Sequence, residues 1–142
     1  MKKVKDILNR KGTNLVGVPK QTIVRDALKT MAEKNIGSIL IMDGDQYLGI
    51  MTERDYARKV ILQGRSSTEV CVEEIMSTQH PHTSKEHTIE QCMQLMSENN
   101  VRYLPVFENG KLIGLVSILD VIKETIIQQK ETIEQLESYI RS

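Results

Sequence analysis

Two stretches of this chain carry residue types whose spacing could do chemistry. They are Gly49-Ile50-Met51-Thr52-Glu53-Arg54-Asp55 and Gly114-Leu115-Val116-Ser117-Ile118-Leu119-Asp120. Each reads glycine, two apolar positions, a hydroxyl residue, two variable positions and aspartate. A hydroxyl residue followed three places later by an acid is the spacing of a capping box, in which the acid accepts its own N-cap amide. Capping boxes favour the longer Glu or Gln, so a second use is open. A short aspartate pointing outward could accept paired hydrogen bonds from the vicinal hydroxyls of a ribose. The glycine permits close approach of another backbone or of a ligand.

The charges beside these stretches extend the second use. Free amides and the positive dipole end make a helix N-terminus an anion site. Arg54 falls in the first turn of its helix, and Arg58 lies four residues on, over the same face. Two guanidinium groups there would form a phosphate clamp, because arginine binds oxyanions in a bidentate manner. They could equally be surface charges paired with Glu53 or Asp55. The second copy has Leu119 where the first has Arg54. Its basic contribution would come from Arg102, in Val101-Arg102-Tyr103-Leu104-Pro105, so the two sites are not expected to be equivalent.

Other chemistries find less support. There is no Gly-x-Ser-x-Gly, no Walker loop and no poised carboxylate pair, so no catalytic residues are expected. His80, His82 and His87 are loosely clustered around Pro81 among polar residues, which reads as a solvated loop rather than a metal site. Nineteen basic residues balance nineteen acidic ones, leaving no global field to steer nucleic acid or anionic membrane. Four Tyr, one Phe and no Trp offer little to stack single-stranded bases on. The charged N-terminus lacks the apolar stretch of a signal peptide, and Cys71 and Cys92 have no framework spacing; a reducing, cytoplasmic setting is expected.

The elements that must position these residues come as a repeat. At the offset of 65 that relates Gly49 to Gly114, Leu28 meets Met93, Asn35 meets Asn100, and Ile39 and Ile41 meet Leu104 and Val106. Val4-Lys5-Asp6-Ile7-Leu8 likewise resembles Val72-Glu73-Glu74-Ile75-Met76. We divide the chain into repeat 1 (1–62), a polar connector (63–71), repeat 2 (72–126) and a helical extension (127–142). Val24, Ala27, Leu28 and Met31, and again Ile89, Cys92, Met93 and Met96, have the spacing of an amphipathic helix. Each helix precedes two short apolar runs joined by a turn, Asp43-Gly44-Asp45 or Glu108-Asn109-Gly110. A short strand from Asn14 to Val18 precedes the first helix, with His80 to Thr83 in the matching place. Each repeat thus reads β-α-β-β-α.

The last helix departs from the repeat, running from about Leu119 to Ile140. Leu119, Ile126, Ile133 and Ile140 are seven apart, and Ile122, Gln129 and Leu136 fill the second heptad position. Such a stripe suggests a coiled-coil or bundle contact between subunits. The alternative is a helix folded back on its own domain.

The tandem β-α-β-β-α unit and its Gly-x-x-Thr/Ser-x-x-Asp pattern resemble a cystathionine β-synthase (CBS) domain pair, or Bateman module, of the stand-alone kind. The resemblance covers Val4 to about Ile126. It implies an α+β fold of two CBS repeats packed as a pseudo-two-fold pair, with an extended C-terminal helix. It also implies clefts that take AMP, ADP, ATP, NAD or S-adenosylmethionine as effector, with no required cofactor. Family positions carry over to Thr52, Arg54 and Asp55, and to Ser117 and Asp120. The surroundings of Ile36-Gly37-Ser38 and Arg102-Tyr103-Leu104-Pro105 would sandwich an adenine. The implied protein is a homodimer joined through CBS helices and the C-terminal helix, sensing energy or redox state and signalling through packing or a separate effector protein. A structural dimerisation module with empty clefts is the other reading.

Overall fold

Asn35 and Asn100, one repeat apart, both adopt the left-handed conformation, with φ of 54° and 53°. Asparagine tolerates that region better than most residues with a Cβ, and it ends helices there. The two residues close α2 (Val24–Lys34) and α5 (Ile89–Asn99). The expected apolar faces are the buried ones: Val24, Ala27 and Met31 in α2, and Ile89, Cys92 and Met96 in α5. Thr88 starts α5 with a capping box, its hydroxyl accepting from the Gln91 amide at 3.1 Å.

The computed structural model describes residues 1–13 and 15–141, a mixed α+β chain with two small sheets. In the first sheet β1 (Gly17–Val18) runs parallel to β2 (Ser38–Asp43), which pairs antiparallel with β3 (Gln46–Thr52). The strand expected from Asn14 is shorter, and Asn14 itself lies outside the described residues. In the second sheet β4 (Tyr103–Glu108) pairs antiparallel with β5 (Lys111–Ser117), and Thr83 forms a parallel bridge to Val106. The β4–β5 turn places Asn109 and Gly110 at φ of 52° and 78°, the conformation that an Asn-Gly hairpin supplies. The register shifts between Ile41 and Met42 and, one repeat later, between Val106 and Phe107. Leu48 and Ile113 are therefore the extra residues of matching β-bulges.

Two compact units follow from these contacts: Met1–Asn14 with Pro81–Ser142, and Leu15–His80. The repeats are units of sequence, whereas the compact units are assembled across them. Helix α1 (Val4–Lys11) contributes Val4, Ile7 and Leu8 to the core that holds Ile89, Leu104 and Val116. Helix α4 (Val72–Ile75), with Val70 from the connector, packs into the core of Ile39, Ile41 and Met51. Each sheet is thus covered by the opening helix of the other repeat. Cys92 is fully buried in the first of these cores, and burial raises its thiol pKa, so it acts as an apolar filler.

The repeated glycines serve this docking. A Cβ on Gly49 would lie 2.7 Å from the Ser77 carbonyl oxygen, just past α4, where Ile50 and Ser77 exchange backbone hydrogen bonds. A Cβ on Gly114 would lie 2.7 Å from Leu8 Cδ2 of α1. The close approach that glycine permits is therefore to the chain itself. Gly49→Ala should cost about 1–3 kcal/mol, because a backbone carbonyl cannot swing aside as a side chain does. Urea unfolding measures it, and an unchanged midpoint would contradict this packing.

Beyond β3, α3 (Glu53–Tyr56) continues as a π-helical turn over Ala57–Ile61. The last helix, α6 (Ile118–Arg141), is 24 residues long, as its heptads indicate. Among the described residues no helix is long and apolar enough to cross a membrane. On β3, burial pushes the Tyr47 phenol up to about 12 from its usual 10.0. A raised folded-state pKa gives stability that is intact below pH 10 and is lost as pH rises toward 12. Alkaline unfolding should therefore begin at higher pH in Tyr47→Phe, as followed by circular dichroism.

Candidate functional site

The two hydroxyl-x-x-aspartate stretches form matching strand-to-helix corners. At the first, Thr52 is the extended N-cap of α3 and its amide donates to Asp55 Oδ2 at 2.8 Å. The Thr52 hydroxyl donates to the same oxygen at 3.1 Å, and accepts from the Asp55 amide at 3.3 Å. At the second, the Ser117 amide donates to Asp120 Oδ2 at 2.9 Å, and the Asp120 amide donates to Ser117 Oγ at 3.2 Å. Both aspartates are caps. The expectation that a short aspartate would point away from its own main chain is corrected here. With the N-cap residue extended, three residues of helix bring the carboxylate to the amide without a glutamate's reach.

Each carboxylate also holds a lysine. Lys59 Nζ lies 3.1 Å from Asp55 Oδ1 and donates to the Ile75 carbonyl at 2.9 Å. Lys11, the last residue of α1, reaches Asp120 Oδ2 at 2.8 Å. Both aspartate side chains are 16% exposed, so each pair sits at the edge of solvent. Neither lysine was among the residues read from sequence. Lys59 had a signal, four residues after Asp55 on the same helix. Lys11 had none, since its placement depends on α1 docking against the other repeat.

The residue just before the neighbouring strand, β2 or β4, supplies a second backbone partner at each corner. The Glu53 amide donates to the Gly37 carbonyl at 3.2 Å, and the Ile118 amide donates to the Arg102 carbonyl at 2.9 Å. Ser38 faces Thr52 across the sheet, and Tyr103 faces Ser117. Ile36, Gly37 and Ser38 therefore gather with Thr52, Arg54 and Asp55 in one unit, and Arg102 and Tyr103 gather with Ser117 and Asp120 in the other. By position Arg102 matches Gly37, not Arg54. Arg54 is half-buried in the first turn of α3, and Arg58 is exposed. From Ala57 the helix continues as a π-helical turn that carries Arg58, and the four-residue pair Asp55–Lys59 still forms across the junction. Leu104 is fully buried in its core and Pro105 is buried, its carbonyl accepting from the Thr83 amide at 2.9 Å. The Leu104 side chain fills core.

Two of the three histidines make contacts around the Thr83 bridge. His87 Nδ1 lies 2.6 Å from the Thr83 hydroxyl, and His82 meets Phe107 edge-on with ring centroids 5.2 Å apart. They tie down the segment that carries the Thr83 bridge.

Comparison with known proteins agrees with this layout. The family model described as the CBS domain matches residues 4–61 and again 72–126. A mitochondrial CBS domain-containing protein of Arabidopsis thaliana, CBSX3, is 35% identical over 97% of this chain and 71% of its own length. Longer Arabidopsis relatives are matched over about a fifth of their length. A solved Burkholderia ambifaria protein with CBS domains is 48% identical, with TM-score 0.86, covering 89% of this chain and 96% of that one. The CBS domain pair of protein MJ0100, solved in complex with 5′-methylthioadenosine and S-adenosyl-L-methionine, shares the fold at TM-score 0.78 and 22% identity, over 90% of this chain and 98% of that one. With two copies of the domain covering most of its length, the chain belongs to the CBS-domain family as a tandem pair.

Proposed function

We propose that this chain is a regulatory module that binds an adenosine-containing ligand, AMP, ADP, ATP or NAD, at its strand-to-helix corners and signals through the packing of a homodimer or a separate effector protein. The observation that supports it is the same at both corners: an aspartate carboxylate at the edge of solvent, paired with a lysine ammonium, Asp55 with Lys59 and Asp120 with Lys11. Vicinal ribose hydroxyls are donors suited to the carboxylate. A phosphate is suited to the released ammonium and to the helix-terminal amides. The nucleotide would exchange one ion pair for two complementary contacts.

Signalling requires a ligand whose affinity differs between two states. Lys11 supplies such a difference, because it belongs to α1 and a ligand that takes it from Asp120 changes what holds that helix. The role is one of binding, with no catalytic residue assigned. S-adenosylmethionine is the second reading, favoured by the MJ0100 complex. It carries the same ribose without a phosphate and would leave the lysines in place.

Thermal shift with AMP, ADP, ATP, NAD and S-adenosylmethionine tests the proposal. A ligand at 100-fold excess over its dissociation constant stabilises by about 2.7 kcal/mol, or roughly 5–10 °C for a chain of this size. No shift with any of the five would favour a structural module with empty corners.

A further inference from the structure

Helix α6 has two unlike faces. Asp120, Glu124 and Glu131 pair with Lys11, Arg10 and Lys2, all within one compact unit. At 3.6 residues per turn these three positions fall within ~40° of one another. Leu119, Ile122, Ile126, Ile133, Leu136 and Ile140 are 45–81% exposed. Their mean direction is roughly 170° from the paired face by the same geometry. Folding this stripe onto its own unit would turn the acids away from α1 and break all three pairs. The occupant must come from outside this unit.

We infer that the stripe pairs with the same stripe of a second copy as a parallel, in-register, two-stranded coiled coil, with Gln129 facing Gln129 of the partner subunit. Such pairing gives a specific form to the homodimer proposed above and needs no ligand. The seven-residue spacing is its own complement, so an identical helix fits it without adjustment. Past the first heptad, where Leu119 and Ile122 have the reverse arrangement, isoleucine at positions 126, 133 and 140 with leucine at 136 favours two strands.

Gln129 decides the direction. In a parallel pair the two amides meet and hydrogen-bond inside the seam, as single polar core residues do when they fix register. An antiparallel pair sets each amide against isoleucine, leaving its donors and acceptors desolvated and unpaired. Flanking positions agree. Parallel pairing brings Thr125 toward Lys130 and Thr132 toward Glu137, with no like charges opposed. The antiparallel register brings Lys130 against its own copy and gains exposed Lys123–Glu137 pairs, which are worth little.

Cysteine cross-linking reads the direction. Cys71→Ser removes the more accessible native thiol, while Cys92 is fully buried. In that background Ile140→Cys should oxidise to a disulfide-linked dimer. A bridge needs Cα atoms about 4.4–6.8 Å apart, whereas antiparallel helices would hold the two 140 positions on the order of 25 Å apart. Linkage in the double variant Ile122→Cys/Ile140→Cys without linkage in Ile140→Cys would overturn the parallel arrangement. Sedimentation should give the unmodified chain twice its 16.2 kDa mass, and Ile133→Asp a monomer with unchanged helix content. A 16.2 kDa monomer for the unmodified chain would overturn the pairing itself, and a trimer or tetramer its two-stranded form. Nucleotide binding is measured separately, so loss of the coil and loss of the ligand reading cannot be confused.

Discussion

Leu8→Ala is expected to lower the unfolding free energy by about 2–5 kcal/mol, the range for leucine truncated in a core. Leu8 is 7% exposed and belongs to the core of the unit that holds β4 and β5, although more than ninety positions separate it from either strand in sequence. Its Cδ2 marks where a Cβ on Gly114 would go, 2.7 Å away. Gly114→Ala alone should cost about 1–3 kcal/mol through overpacking. Combining the two should cost less than their sum, because the added methyl enters the space left by the missing isopropyl group. Side chains in contact couple by about 0.5–3 kcal/mol. Urea midpoints for the wild type, both single variants and the double variant, at constant slope, measure this coupling. Strict additivity would mean that α1 does not dock on β5.

Asp55→Asn and Asp120→Asn together are expected to weaken nucleotide binding by ten- to hundred-fold while leaving the fold nearly as stable. Asparagine keeps a side-chain oxygen of the same reach, which can still accept from the Thr52 or Ser117 amide, and the exposed lysine pairs it gives up are worth little. The lost charge removes the hydrogen bonds that a carboxylate would accept from ribose, worth about 1.5–3 kcal/mol for a charged partner. Asp→Ala would confuse the matter, since both acids are also caps, at 2.8 and 2.9 Å from the N-cap amides. Calorimetric titration with AMP, beside thermal unfolding without ligand, separates the two roles. Unchanged affinity in the doubly substituted chain would mean that the acids only cap.

How far the sequence carried this description depended on the range of each interaction. The Asn109-Gly110 turn was readable because few residues accept positive φ at both turn positions. The faces of α2 and α5 were readable because helical periodicity is local, and so was the length of α6. The likeness of Val4–Leu8 to Val72–Met76 marked two equivalent helices, but not which sheet each would cover. Two sheets with matching bulges and matching glycines offer similar apolar faces, and only the assembled chain resolves the exchange. Lys11 at Asp120 inherits that difficulty. The π-helical turn over Ala57–Ile61 is of another kind, since it leaves no mark in the spacing of the apolar residues.

We propose that the corner carboxylates, caps in the free chain, grip the vicinal hydroxyls of a ribose. The direct measurement is a cycle of calorimetric titrations: AMP and its 2′,3′-dideoxy analogue, each against the unmodified chain and the Asp55→Asn/Asp120→Asn chain. The dideoxy analogue should bind the unmodified chain ten- to hundred-fold more weakly than AMP, and that gap should vanish in the asparagine chain, since each change removes the same hydrogen bonds. Equal losses from the missing hydroxyls in both chains, or none in either, would contradict it.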